Sequence, residues 1–375
     1  MNGMPGILGQ HRRLSSSAGG DTVRTSTARP GPLIILLLLS LLPAWATAKQ
    51  SAYDGIVFFG DSLSDPGNKF ALTGLKNTPP YDLLDAFLIP DGPYAKGGLH
   101  HSNGKTWAEQ FAKAVGLGGY AGPAYRNRGK AANYAYGGAR AGTPVVLAPC
   151  TEPTSNQNLR DQVAMFLNDV NNTANADALF ALFIGGNDVA DAVRVLACDS
   201  SGATSGFIIA DALTSVSENI SALYDAGART FLIGNAPDMG LIPAFNPPLN
   251  PILEASAAGT CFSLLYNLGT LSNSFVAAQC GFPMGIPGLV DVLGLLQGSL
   301  PGVEFIQYDV FSKIRQLVLA PMPGEPQNGV DACVMPGIPP FSCRNPDNFV
   351  FWDGVHPTKA VHSILADEVA VLIGP

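Results

Sequence analysis

The stretch Ile56-Val57-Phe58-Phe59-Gly60-Asp61-Ser62-Leu63-Ser64-Asp65 (residues 56–65) joins a fully apolar run to a sharp polar turn. Consecutive apolar residues bounded by glycine are typical of a parallel strand that is buried on both faces. The glycine permits a tight turn directly after the strand, so Ser62 lies at the strand's carboxyl end. The chain is therefore predicted to contain a parallel sheet with a polar turn at its edge.

The rest of the chain repeats this order of strand, turn and helix. Further strands are predicted over 131–136, 178–184, 230–234 and 303–308. Apolar residues at helical spacing predict helices over 106–115, 159–170, 208–226, 262–279 and 357–373. This alternation is the pattern of a parallel sheet with helices on both faces, so the predicted fold class is α/β. Residues 281–300 are apolar and glycine-rich and show no clear element of their own.

Polar residues follow several predicted strands at the points where those strands end. They are Asp61-Ser62, Gly137-Gly138 and Asn187-Asp188, with Asp353 and His356 near the end of the chain. Ligands of open parallel sheets bind beyond the carboxyl ends of the strands. We therefore expect these groups to converge on one pocket.

Ser62, Asp353 and His356 are the candidates for nucleophilic catalysis. Ser62 lies on a turn that would expose its hydroxyl to the predicted crevice. Histidine is the usual general base at neutral pH, and Asp353, three residues before His356, can orient its ring. Each residue also has a simpler interpretation, since Ser62 fits a plain turn and Asp353 fits a helix N-cap. Their occurrence together favours a nucleophilic hydrolase.

Acyl transfer also needs hydrogen-bond donors for the negative charge that develops on the carbonyl oxygen. The N–H of Ser62, the N–H of Gly138 and the side-chain amide of Asn187 are the candidates. Glycine at 138 would let the backbone approach a ligand closely. Taken singly, the glycine pair also fits an ordinary turn, and Asn187 fits a left-handed loop position.

Four segments, in order along the chain, resemble the sequence blocks of the GDSL esterases and lipases, a branch of the SGNH hydrolases. They are Gly60-Asp61-Ser62-Leu63-Ser64-Asp65, Asn133-Tyr134-Ala135-Tyr136-Gly137-Gly138-Ala139, Gly185-Gly186-Asn187-Asp188 and Asp353-Gly354-Val355-His356-Pro357-Thr358. Residues 102–107 are also similar to a segment of the larger members. Four blocks in order are far more specific than the first block alone.

This resemblance implies a fold and a set of roles. The fold would be a three-layer α/β/α sandwich with a central parallel sheet, the flavodoxin-like SGNH hydrolase fold, without a metal or organic cofactor. Ser62 would be the nucleophile, His356 the base and acid, and Asp353 the orienting carboxylate. Ser62, Gly138 and Asn187 would form the oxyanion hole, with Gly137 as the neighbouring candidate.

Residues 1–48 have the pattern of a secretory signal peptide. Four arginines precede an apolar run over 33–42, and Ala46-Thr47-Ala48 offers a cleavage site between small residues. The run is too short to span a membrane, which takes about 20 apolar residues. We therefore predict a secreted, extracellular protein. Residues 49–375 are predicted to form a single SGNH hydrolase catalytic domain with an elaborated segment at about 236–300.

The charge balance disfavours nucleic acid as a partner. Without residues 1–48 the chain keeps 17 basic and 28 acidic residues, a net charge of −11, which would repel phosphates. The same balance offers no basic patch for anionic lipid. The expected partner is a small-molecule or lipid ester, with transient contact to a lipid surface left open, and the protein is expected to be a monomer.

All six cysteines follow the predicted signal peptide. They are Cys150, Cys198, Cys261, Cys280, Cys333 and Cys343. An even number of cysteines behind an export signal predicts three disulfides, and pairing in sequence order closes the shortest loops. A zinc site is disfavoured, because the cysteines form no Cys-x-x-Cys pair and no cluster with histidine.

Other functions fit the sequence less well. The nucleophile elbow of α/β-hydrolases, Gly-x-Ser-x-Gly, does not occur. A binding module without activity is disfavoured because the active constellation is complete. The resemblance leaves an acyltransferase, a phospholipase or a carbohydrate acetylesterase open on the same site. Residues 281–300 fit a lipid-facing flap, although an ordinary packed excursion is favoured.

Overall fold

The computed structural model describes residues 52–72, 100–126, 132–151, 157–245, 253–335 and 342–374. The predicted signal peptide over 1–48 lies outside these residues. These described residues belong to one compact unit.

Strands and helices alternate along the chain. The strands are β1 (Gly55–Gly60), β2 (Ala178–Phe183), β3 (Thr230–Gly234), β4 (Glu304–Tyr308), β5 (Asn328–Ala332) and β6 (Phe349–Phe351). The helices are α1 (Asn68–Leu72), α2 (Trp107–Ala114), α3 (Leu159–Asp169), α4 (Gly186–Arg194), α5 (Ala203–Asp225), α6 (Leu253–Leu268), α7 (Ser274–Cys280), α8 (Leu289–Ser299), α9 (Val310–Leu319) and α10 (Lys359–Ile373).

The main sheet has four parallel strands in the order β1-β2-β3-β4. Every residue of β1 and β2 is buried, as expected for strands covered on both faces. Successive side chains of a strand point to opposite faces. Phe58 contacts Trp107 of α2, whereas its neighbour Phe59 contacts Phe166 of α3. Helices therefore cover both faces of the sheet, which confirms the predicted three-layer α/β/α class.

The strand predicted over 131–136 is wrong as a regular element. Residues 132–136 run beside β1 and exchange backbone hydrogen bonds with Phe58 and Gly60, but only Phe58 and Asn133 form a bridge. The side chain of Asn133 accepts the N–H of Ala135 and donates to the carbonyl of Ser64. The strand pairing is interrupted at Gly60, because Gln162 Oε1 accepts the N–H of Gly60 at 2.9 Å and Gln162 Nε2 donates to its carbonyl at 2.8 Å.

The segment over 236–300 also differs from its prediction. The helix predicted over 262–279 is two helices, α6 and α7, separated at Gly269, whose φ of 60° a regular helix cannot hold. Residues 281–300, for which no element was expected, contain α8. It packs against α5 and α6. Its buried apolar residues, Leu289, Val292, Leu293 and Leu296, lie at helical spacing, but glycines dilute the pattern in the sequence.

The three disulfides pair in sequence order, as predicted: Cys150–Cys198, Cys261–Cys280 and Cys333–Cys343. The last bridge lies beside the small parallel sheet of β5 and β6, which leads into the turn with Asp353 and His356. In the described part of the chain, no helix combines the length and the apolar character needed to cross a bilayer.

Candidate active site

Ser62 lies in the turn that follows β1. Asp61 closes this turn twice: its Oδ1 accepts the N–H of Leu63 at 3.0 Å, and its carbonyl oxygen accepts the N–H of Ser64 at 3.1 Å. Ser62 is only 5% exposed. The turn therefore holds the hydroxyl at the carboxyl end of β1, where ligands of such sheets bind.

Asp353 and His356 lie in a second turn, which follows β6. The N–H of Trp352 donates to the carbonyl of His356 at 2.7 Å and closes the turn. Asp353 Oδ1 accepts the N–H of Val355 at 2.8 Å and that of His356 at 2.7 Å. Backbone hydrogen bonds thus orient the carboxylate independently of the imidazole.

The two turns meet in one continuous line of side chains. His356 Nε2 lies 2.9 Å from Ser62 Oγ, and His356 Nδ1 lies 2.8 Å from Asp353 Oδ2. Asp353 and His356 are both about 1% exposed, so little water competes for these bonds. Because an ionised carboxylate only accepts, Nδ1 is the protonated nitrogen and Nε2 can accept the proton of the Ser62 hydroxyl.

Asn187 and the glycine pair lie beside this line. Asn187 is in the first turn of α4, and its Nδ2 donates to the carbonyl of Ala139 at 3.0 Å. Gly138 has a positive φ of 77°. The N–H of Gly137 donates to Asp65 Oδ2 at 2.8 Å.

A cleft of about 40 Å³ brings three of the predicted residues together, since Ser62, Asn187 and His356 all line it. Most of its other walls are apolar: Leu63, Ala190, Pro237, Met239, Ile242, Phe245 and Val355. Such a mixture of an apolar wall and a few convergent polar groups is typical of a small-molecule site.

Two buried carboxyl groups lie next to the cleft. Burial raises the pKa of Asp61 to about 6, although the N–H of Leu63 and the charge of His356 act against this rise. Burial also raises the pKa of Asp188 to about 7, against the opposing effect of the N–H groups of Ala141 and Gly142. These shifts arise because a charge is poorly solvated in the protein interior.

The sequence prediction missed two residues at this site. His101 is 2% exposed, its ring centroid lies 5.1 Å from that of His356, and its Nδ1 has no hydrogen-bond partner among the residues that the structure describes. Arg140 bonds both to the loop of the glycine pair and to α4. His101 directly precedes Ser102, whose hydroxyl donates to the carbonyl of Pro357 at 2.8 Å, so this segment lies beside the turn that holds His356.

The described ranges contain no group of three or more His, Cys, Asp or Glu residues arranged to hold a metal ion.

Comparison with known families agrees with this geometry. The family model described as "GDSL-like Lipase/Acylhydrolase" matches residues 56–369, which is most of the chain. The chain belongs to this family. The resemblance seen in the four sequence blocks is thereby confirmed, and the α/β fold is consistent with that of the family. Membership also makes the chain a carboxylic ester hydrolase.

Similar proteins carry names from the same family. Two GDSL esterase/lipases of Arabidopsis thaliana are each 25% identical to the chain. One alignment covers 84% of both proteins. The other covers 90% of this chain and 97% of its relative. Lipase 1 of Photorhabdus luminescens is 27% identical over 198 residues, 53% of this chain and 24% of that protein.

Proposed function

We propose that this GDSL-family protein is a secreted serine esterase or lipase that uses Ser62, His356 and Asp353 as its catalytic triad. The observation that carries the proposal is the continuous hydrogen-bonded line from Ser62 Oγ to the Asp353 carboxylate, at 2.9 and 2.8 Å. These distances are within the range that proton transfer between a nucleophile and its base requires.

The proposed reaction has two steps. His356 Nε2 takes the proton of Ser62 as Oγ attacks the ester carbonyl, and the same proton then passes to the leaving alcohol. This leaves an acyl group on Ser62. Water attacks the acyl-enzyme with His356 again as base, and the acid is released. Asp353 keeps the ring in the required tautomer and stabilises the imidazolium that forms in each step.

The N–H groups of Ser62 and Gly138 and the amide of Asn187 are proposed to stabilise the oxyanion. One N–H of Asn187 is engaged with the carbonyl of Ala139, which orients the amide and leaves its second N–H for a ligand. The N–H of Gly137 is engaged with Asp65, which disfavours Gly137 as the backbone donor.

Secretion is supported by two features of the chain. The apolar run over 33–42 follows four arginines and precedes a cleavage site between small residues. All six cysteines are paired in disulfides, as in proteins of an oxidising compartment. The apolar cleft supports an uncharged acyl group as the bound part of the substrate.

Hydrolysis of p-nitrophenyl acetate, butyrate and octanoate tests the proposal. We expect Ser62→Ala to lower kcat by at least about 10⁴-fold, because no other group replaces the nucleophile. Ser64→Ala is the matched control in the same turn. Ser64 Oγ accepts the indole N–H of Trp107 at 2.9 Å, so its loss should lower stability and leave kcat close to wild type. Equal activity of wild type and Ser62→Ala would refute the triad.

A further inference from the structure

The glycine loop (residues 137–142) is held in place largely by side chains. The N–H groups of Ala141 and Gly142 donate to the two carboxylate oxygens of Asp188 at 2.8 and 3.0 Å. The N–H of Arg140 donates to Asn158 Oδ1 at 3.0 Å. Because the loop is not part of a regular strand, these bonds set its conformation.

The side chain of Arg140 adds a bridge from the loop back onto itself and across to α4. Its Nη1 donates to the carbonyl of Gly138 at 2.6 Å. Its Nε and Nη2 donate in parallel to the two carboxylate oxygens of Asp191, at 2.8 and 3.0 Å. The side chains of Arg140 and Asp191 are only 12% and 6% exposed. This is a bidentate, nearly dry ion pair with one additional bond to the loop.

We propose that Arg140 is a positioning residue that fixes Gly138 in the orientation needed to stabilise the oxyanion, with Asp191 as the anchor of its guanidinium. The inference rests on the proposed ester hydrolase function. Gly138 has a φ of 77° and, as a glycine, no side chain that would restrict its backbone. A hydrogen bond to its carbonyl restricts rotation at Gly138 and so keeps its N–H in place.

Geometry, and not charge alone, makes arginine suited to this position. The guanidinium is a rigid planar fork, so the same group that pairs with Asp191 also points a third N–H at Gly138. A lysine ammonium on a flexible stem can approach one of these acceptors but cannot hold all three bonds in one plane.

A role for the positive charge alone is the competing explanation. Arg140 interacts with the buried carboxyl groups of Asp61 and Asp188, where its charge opposes the rise of the pKa that burial causes. If this charge were all that matters, lysine would replace arginine well. Arg140→Lys therefore separates positioning from charge, and Arg140→Met removes both.

The test compares kcat and KM for p-nitrophenyl acetate in wild type, Arg140→Lys and Arg140→Met. We expect both variants to lose about 10–100-fold in kcat, because a misplaced oxyanion donor acts mainly in the transition state. KM should stay within about twofold of wild type, because the ground-state ester does not depend on that donor. Asp191→Asn should cause at least the same loss in kcat without any change in the loop sequence, and it also serves if Arg140→Met does not fold. Asp191 Oδ1 also accepts a bond from Arg194, which lines the cleft, at 3.0 Å, so the two Arg140 variants carry the decisive comparison.

Lys313→Met is the matched control for removing a buried cation. Lys313 is 9% exposed and pairs with Glu325 and Glu368 at 3.0 and 2.8 Å, and it does not line the cleft. Its loss should lower the thermal midpoint but leave kcat of the folded enzyme unchanged. Wild-type kcat in Arg140→Lys, or a raised KM with unchanged kcat, would overturn the proposal. Inactive wild type would instead refute the ester hydrolase function on which it rests.

Discussion

The side-chain amide of Asn187 has two hydrogen-bonding roles, and substitution tests the one that is proposed for catalysis. Its amide donates to the carbonyl of Ala139, and its second N–H is proposed to contact the oxyanion. We expect Asn187→Ala to lower kcat by about 10²–10³-fold, the usual loss for one oxyanion donor. Asn187→Asp should lower kcat further, because a carboxylate would repel both the carbonyl of Ala139 and the developing oxyanion. Steady-state hydrolysis of p-nitrophenyl acetate measures both, and a more active Asp variant would contradict the assignment.

The residues of the site differ in how far the sequence could predict them. Ser62 and Asn187 follow apolar strands directly, and Asp353 and His356 are three residues apart on one turn, so local patterns predict where they lie. Arg140 and His101 carry no such local signal. Arg140 pairs with a residue 51 positions later, and the ring of His101 packs beside His356 only after the fold brings two distant segments together.

Among the elements, those that were predicted well have a strong local period. The strands β1, β2 and β3 are short, mostly apolar runs, and α2, α3 and α10 carry apolar residues at helical spacing. The failures fall where a local pattern is overridden or diluted. Residues 132–136 pair only partly with β1 because the side chain of Gln162, from a distant helix, takes the N–H of Gly60 that a regular ladder would use. The glycines around α8 hide a helix whose stability comes from packing.

Two glycines, one in the turn between α6 and α7 and one at the end of α7, differ in the space around them. Gly269 and Gly281 both have a positive φ, of 60° and 70°. A Cβ on Gly269 would lie 2.2 Å from the backbone N of Gly288, whereas one on Gly281 would meet nothing within 4 Å. Gly281→Ala should therefore cost only the left-handed strain, about 1 kcal/mol. Gly269→Ala should lower the free energy of unfolding by about a further 1–3 kcal/mol, because the backbones must separate.

Chemical unfolding in urea compares the two glycine variants directly. Since both carry the same added methyl group, Gly281→Ala serves as the control for conformational strain alone. Equal losses in the two variants would show that the contact between Gly269 and Gly288 is looser than the structure has it. The cleft residues are not part of this contact, so kcat of the folded protein should stay unchanged in both.

For the molecule as a whole, composition predicts the disulfides but not the behaviour of the buried ionisable groups. Burial raises the pKa of Asp61 to about 6 and that of Asp188 to about 7, above the ordinary value of about 3.9. Folding therefore takes up protons at these carboxyls, which favours the folded state as the pH falls from about 7 to about 4. Burial has the opposite effect on His362, whose pKa it lowers to about 3.

His362 should make the protein less stable in acid, and His362→Asn should remove this effect. Its Nδ1 accepts the N–H of Trp107 at 3.2 Å, and the Oδ1 of asparagine can accept the same bond without titrating. The folded protein keeps His362 neutral down to about pH 3, whereas the unfolded chain binds a proton below about pH 6.5. Relative to the variant, wild type should lose up to about 1.4 kcal/mol of unfolding free energy per pH unit in this window. Urea unfolding at pH 7.5, 5.5 and 4.5 measures the difference, in which the effects of Asp61 and Asp188 cancel because both proteins contain them. A difference that does not change with pH would show that His362 titrates alike in both states.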